Sequence, residues 1–292
     1  MILKGYARRG GALLGSVLLV LLVAVATQSA ELKSRFAKFG DTKVHYLMGG
    51  EGKKALIFIH GWTCDATFWR SQTNTFPGTR VIALDLPGHG QSDKPQTDYT
   101  MDYFARSIEA VMRDAKVDRA VLVGHSMGTP VAWQFYRLYP EKTLALVIVD
   151  GALRPFMPKE QSDQFVAARR ANYKQVAPRM VDGMLMPVKN EKLKTEIRTA
   201  LLATPEHVAT SAMTAMGDEK IYATDPIKVP VLAVLAKSPF WAANTEGYLR
   251  SLAPNMEFHM MEGVSHFLMM DKPDEPNRTL QEFLVKQKLL KS

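Results

Sequence analysis

Residues 121–128 read VLVGHSMG: a run of apolar residues, then a serine with a glycine two places away on either side. A strand that enters a tight corner and leaves as a helix needs such spacing, because side chains at the two glycine positions would collide with the turn. The residues before the stretch are apolar and β-branched, and TPVAWQFYRLYP (129–140) after it has a helical pattern. The corner therefore projects Ser126 above a sheet, with a helix N-terminus beside it that favours developing negative charge.

Working outward, SRFAKFGDTKVHYLMGG (34–50) reads as a two-stranded hairpin turning at Gly40-Asp41. Six further apolar runs, at 55–59, 81–85, 120–124, 145–150, 229–236 and 256–262, suit strands buried on both faces of a parallel sheet. Helical patterns over 100–116, 128–139, 242–253 and 274–290 alternate with them. The expected fold is α/β: a doubly wound, mostly parallel eight-stranded sheet flanked by helices. Residues 151–228 hold no strand pattern but three helical ones, KEQSDQFVAARRANYKQVAPRMVDGMLM, KNEKLKTEIRTALLA and PEHVATSAMTAM, and a structureless loop of that length is improbable. The segment reads as an inserted helical cap, dividing the core into 34–150 and 229–290. Met180, Met184, Met186, Met213 and Met216 in the cap suit packing against the core, or the lining of a deformable apolar pocket.

The N-terminus is separate from this pattern. Lys4, Arg8 and Arg9 precede the apolar stretch ALLGSVLLVLLVAVA, and Ala24-Val25-Ala26 offers a cleavage site. Residues 1–26 are expected to act as an export signal to the periplasm or exterior, with an uncleaved membrane anchor as the alternative. Cys64 is the sole cysteine, so export here brings no internal disulfide. The chain of 292 residues is 47% hydrophobic and carries a formal charge of +8. Without the leader, 34 basic residues face 29 acidic ones, and no basic run interleaves with aromatics. That balance speaks for a solvated surface and against a nucleic-acid partner. The seven histidines are scattered, which gives no metal-ligand spacing, and no dinucleotide fingerprint follows the first strand. No metal or cofactor is expected.

Four segments together carry a family likeness: HGWTCDATFW (60–69), DLPGHGQSD (85–93), GHSMG (124–128) and GVSHFLMMDKPDE (263–275). With them the chain, from about residue 36 to 288, resembles α/β-hydrolases of the capped esterase, haloperoxidase and dehalogenase group. The resemblance implies a nucleophile at Ser126 and a base at His266, which lies just past the last strand, where doubly wound sheets place their sites. It implies oxyanion donors in the main-chain N–H groups of Trp62 and Met127. Relatives that open epoxides or remove halides use an aspartate at the corner, whereas this chain has Ser126.

The orienting acid departs from the family pattern. The loop after the seventh strand reads LAKSPFWAANTE (235–246), with Ser238 and Pro239 where relatives carry an aspartate. Asp85 ends the fourth strand, on the far side of the nucleophile in the fold's strand order. Asp150 ends the sixth, beside the nucleophile strand and toward His266, and is the expected third member. Glu246 is the reserve. The expected activity is a serine hydrolase, a carboxylesterase for small or medium acyl esters working through an acyl-enzyme. The alternatives are a lactonase, a C–C hydrolase or a cofactor-free perhydrolase on the same residues, acyl transfer at a membrane, or a ligand-binding homologue without turnover.

Overall fold

A computed structural model describes residues 32–155, 158–222 and 224–289. The export signal read at 1–26 lies outside the described residues. Among these no helix is long and apolar enough to cross a membrane.

The strands are β1 (Lys33–Phe39), β2 (Thr42–Gly49), β3 (Lys54–Ile59), β4 (Arg80–Leu84), β5 (Arg119–His125), β6 (Thr143–Val149), β7 (Val231–Ala236) and β8 (Glu257–Met261). They form one sheet in the order β1-β2-β4-β3-β5-β6-β7-β8. β1 and β2 pair antiparallel, as do β2 and β4, and every later pairing is parallel. The hairpin turns at Gly40, whose φ of 58° lies in the left-handed region that glycine adopts without strain. The mostly parallel eight-stranded sheet is thus the one the apolar runs announced.

The helices are α1 (Arg70–Thr73), α2 (Met101–Asp114), α3 (Gly128–Leu138), α4 (Lys159–Ala171), α5 (Tyr173–Leu185), α6 (Glu191–Ala203), α7 (Glu206–Met216), α8 (Thr245–Leu252), α9 (Leu268–Asp271) and α10 (Asp274–Lys286). Alternate strand residues face opposite layers, as the two-residue period demands. Ile57, Leu122 and Ile148 join a cluster with Phe104 of α2 and Trp133 of α3. Phe58, Val123 and Val147 face the other way, toward Trp69, Phe267 and Phe283. Both layers exclude water, and this apolar burial is the main stabilising term.

Three details differ from the sequence reading. β8 is an edge strand, not one buried on both faces, and its Met260 is 40% exposed. The first helical run after β6 is two helices, interrupted at Asn172. Met180, Met213 and Met216 pack on one core layer and Met184 on the other, but Met186 is 77% exposed and joins neither layer.

Candidate active site

The corner at 124–128 follows from close packing of main chain. A Cβ on Gly124 would lie 2.3 Å from the Gly128 carbonyl oxygen, and one on Gly128 would lie 2.4 Å from that of Ile59. Both glycines are therefore steric requirements. Ser126, between them, has φ of 51°, a left-handed conformation costing a non-glycine residue about 1–2 kcal/mol. The strain is held from both sides: the Ser126 N–H donates to the Val149 carbonyl at 3.0 Å, and its carbonyl accepts from the Thr129 N–H at 2.9 Å. Ser126 is partly exposed at the C-terminal edge of the sheet, one residue before α3 opens at Met127 and Gly128.

Asp150 stands one residue past β6, whose Val149 pairs with His125 at the end of β5. It too is left-handed, with φ of 41°, and its N–H is fixed by the Val234 carbonyl at 2.9 Å. Its carboxylate Oδ2 lies 2.6 Å from His266 Nδ1. Oδ1 accepts the Ala236 N–H at 2.7 Å and the Trp241 indole N–H at 3.2 Å. Asp150 is 5% exposed, whereas the His266 side chain is 26% exposed and open to a ligand. With both carboxylate oxygens accepting, His266 Nδ1 carries a proton, and in the neutral imidazole Nε2 keeps its lone pair.

The loop carrying His266 is tied at three points. Ser265 N–H donates to Asp271 Oδ2 at 2.6 Å, Phe267 N–H to Ser265 Oγ at 3.0 Å, and His125 Nε2 to the His266 carbonyl at 2.8 Å. His125, the residue before the corner serine, thus braces the neighbouring loop. Trp241 was not singled out from sequence at all. Its only signal is an indole in the loop that lacks an acid, and it lends that loop's N–H to the acid on the adjacent strand.

Trp62 sits in the turn after β3, 6% exposed, with its indole N–H donating to the Ala209 carbonyl of α7 at 2.8 Å. Thr204 Oγ1 donates to the Thr63 carbonyl at 3.2 Å, so the helices inserted between β6 and β7 clamp this turn. Among the described residues the main-chain N–H groups of Trp62 and Met127 donate to no acceptor. Beside Trp62 lies a small apolar cavity walled by Val166, Tyr173, Ala177, Met180 and Met213. Trp69 is 1% exposed and packs in the core, its ring 5.0 Å from that of Phe58.

The other candidates lie apart. Asp85 pairs with His45 at 2.8 Å, and Glu246 on α8 forms an exposed pair with Arg250. His60 donates Nδ1–H to the Gly61 carbonyl and accepts the Leu86 N–H on Nε2, and burial lowers its pKa. Burial also lowers His89, to about 3, aided by nearby His60. The Cys64 thiol is buried, which raises its pKa and leaves it unreactive. Among the described residues no group of three or more His, Cys, Asp or Glu is arranged to hold a metal.

Comparison with known proteins bears on the fold. A family model described as alpha/beta hydrolase fold matches residues 54–183. Epoxide hydrolase 4 of Mus musculus is 34% identical over 117 residues, 39% of this chain and 33% of its own, so the match spans about a third of that relative. A 2-hydroxy-6-oxononadienedioate/2-hydroxy-6-oxononatrienedioate hydrolase of Paraburkholderia phymatum is 27% identical over 84% of this chain and 91% of its own. The structure of a thermophilic esterase superposes with a TM-score of 0.70 at 28% identity, covering 88% of this chain and 98% of that one. Strand order, corner and matched sequence agree: the chain carries the α/β-hydrolase fold and is similar to that family over residues 54–183.

Proposed function

We propose that the protein is a serine hydrolase, a carboxylesterase that cleaves small or medium acyl esters. The observation that carries this reading is the 2.6 Å contact of His266 Nδ1 with Asp150 Oδ2, because it leaves the base nitrogen of His266 free for a proton. Ser126 Oγ attacks the ester carbonyl while His266 Nε2 takes its proton. The Trp62 and Met127 N–H groups hold the oxyanion, each such donor contributing about 3–4 kcal/mol in enzymes of this chemistry. His266 then returns the proton to the departing alkoxide, leaving Ser126 acylated. Water, deprotonated by the same nitrogen, attacks the acyl carbon, and Ser126 leaves with its proton restored.

The Ser126 hydroxyl makes no hydrogen bond among the described residues, so contact with His266 closes as substrate seats, a common property of unliganded sites. The apolar side chains beside Trp62 suit contact with an acyl chain, and the space they enclose, about 10 Å³, must widen to admit one. Likeness to a thermophilic esterase supports the ester, and the serine at the corner speaks against the epoxide chemistry of the shorter match. C–C bond hydrolysis on the same residues is the second reading, favoured by the relative that aligns along most of both chains.

The test is turnover of p-nitrophenyl esters from acetate to decanoate, with Ser126→Ala as blank and a vinylogous diketone acid as the C–C substrate. Ester turnover lost in Ser126→Ala is the expected result. Turnover of the diketone alone would transfer the assignment to C–C hydrolysis. No turnover of either, from folded protein, would overturn the enzyme reading in favour of a ligand-binding homologue. Export rests on residues 1–26 and is proposed with it; N-terminal sequencing of the protein recovered from cells tests cleavage after Ala26.

A further inference from the structure

A second serine–histidine–aspartate array lies in the hairpin end of the sheet. In the β1/β2 pairing Phe36 faces His45, and Ser34, two residues along, occupies the same face of β1. Ser34 Oγ lies 2.9 Å from His45 Nε2, and His45 Nδ1 lies 2.8 Å from Asp85 Oδ2. His45 and Asp85 are buried, at 1% and 3% exposure, while Ser34 is exposed. Both β4 and β3 separate this hairpin from β5 and the Ser126 corner.

The proton positions follow from the partners. Asp85 Oδ1 accepts the Ala66 N–H at 2.7 Å, and Oδ2 accepts the Gln91 N–H at 2.8 Å. Burial alone would raise the carboxyl pKa, but the hydrogen bonds from His45, Gln91 and Ala66 outweigh it and hold it below its ordinary value. An ionised carboxylate only accepts, so His45 Nδ1 is the donor, and in the neutral imidazole Nε2 is bare. With that imidazole the Ser34 hydroxyl donates to Nε2. That is the proton arrangement of an activated serine, and it repeats the one at Asp150 and His266.

The array is also rigid. The His45 N–H donates to Ser92 Oγ at 2.8 Å, Ser92 Oγ donates to the Asp85 carbonyl at 2.6 Å, and the Asp85 N–H donates to the His45 carbonyl at 2.9 Å. Gly90, with φ of 48°, passes so close that a Cβ there would lie 2.2 Å from the Asp85 carboxyl. Only the serine end meets solvent.

We propose that Ser34, His45 and Asp85 form a second nucleophilic site, which captures acyl or phosphonyl groups from activated electrophiles. Ser34 Oγ bonds to the carbonyl carbon or phosphorus as its proton passes to His45 Nε2. The bond from that centre to the leaving group breaks, and the leaving anion takes the proton from His45. Ser34 lies within an extended strand, away from any helix N-terminus, so the group is retained on Ser34 and the site is modified without rapid turnover.

The test uses full-length Ser126→Ala protein, so its outcome is independent of the esterase reading. The protein is treated with an alkyl fluorophosphonate and mapped with Glu-C, whose fragment 32–51 contains Ser34. Ser71 and Ser251, also exposed, are the internal references. A positioned base predicts an adduct on Ser34 forming at least ~10-fold faster than on either reference. The adduct is expected to be lost in Ser34→Ala/Ser126→Ala protein and on denaturation before treatment. Equal labelling of the three serines, or Ser34 labelling that survives denaturation, would overturn the proposal. So would an unlabelled Ser34 in folded protein. Ser34 is exposed and its replacement leaves the His45–Asp85 pair in place, so the double variant is expected to fold; circular dichroism checks it.

Discussion

His125 and His266 are joined by a hydrogen bond from the side chain of one to the main chain of the other, 2.8 Å long, with their rings 4.7 Å apart. A carbonyl only accepts, so His125 carries its proton on Nε2. Burial, then the neighbouring His266, holds the His125 pKa well below the usual range, and its buried Nδ1 has no partner. The residue beside the corner serine thus stays neutral and fixes the loop that bears the histidine opposite.

His125→Phe keeps a ring of similar size and removes the donor. A main-chain carbonyl left without its partner costs about 1–3 kcal/mol when buried. If the proposed chemistry holds, kcat for ester hydrolysis should fall while KM changes little, because the loop is loosened without altering the acyl cavity. Kinetics and a urea melt of the same preparation check both halves.

Asp150→Asn and Glu246→Gln separate the expected acid from its reserve. Replacing an orienting aspartate in this chemistry lowers kcat by about 10⁴-fold, and a loss near that size is expected at Asp150. Among the described residues Glu246 makes an exposed pair with Arg250 one helical turn away, worth about 0.3–0.5 kcal/mol. Glu246→Gln should leave turnover unchanged. The reverse result would reassign the acid.

Trp241→Phe removes one of two donors to Asp150 Oδ1 and leaves the Ala236 N–H in place. A single net hydrogen bond is worth about 1 kcal/mol, so kcat should fall by about 5-fold. That is far short of the Asp150→Asn loss. Steady-state kinetics on the preferred ester measures it.

Gly128→Ala tests the sterics of the corner. The new methyl meets main chain of Ile59 and His60, which has little freedom to retreat. Overpacking of this kind costs about 1–3 kcal/mol, and thermal unfolding should shift down by several degrees. A melting temperature equal to the parent would refute the steric account.

Stability should fall on acidification. His60, His89 and His125 are each held neutral by burial below their ordinary value, His89 to about 3. Below about pH 6.5 the unfolded chain binds protons at these histidines that the folded chain refuses, so their contribution is complete above that pH. Each then loses up to about 1.4 kcal/mol per pH unit down to its folded pKa. Asp85, whose folded pKa is depressed, adds stability that disappears lower still, as pH falls through that value. Urea midpoints from pH 8 to 4 should decline with a slope that His89→Phe makes shallower.

Much of this molecule follows from its chain order alone. The corner at 124–128 is a local steric object, since Gly124 and Gly128 contact main chain within a few residues or on the adjoining strand. The strand–helix alternation is likewise local, because each apolar run carries its own period. Ser126, and the position of His266 just past the last strand, are legible for that reason. The pairing of Asp150 with His266, across 116 residues, is expected only through the strand order that the family resemblance implies; no local pattern in the chain marks it. Tertiary structure also decided that β8 is an edge, that Trp241 reaches Asp150, and that His125 holds the opposing loop. No spacing in the sequence marks Ser34, His45 and Asp85 as neighbours. Backbone sterics act between residues adjacent in the chain and so leave a readable pattern. A hydrogen bond between distant side chains exists only where packed strands and turns bring donor and acceptor within 3 Å, and no local residue choice encodes that distance.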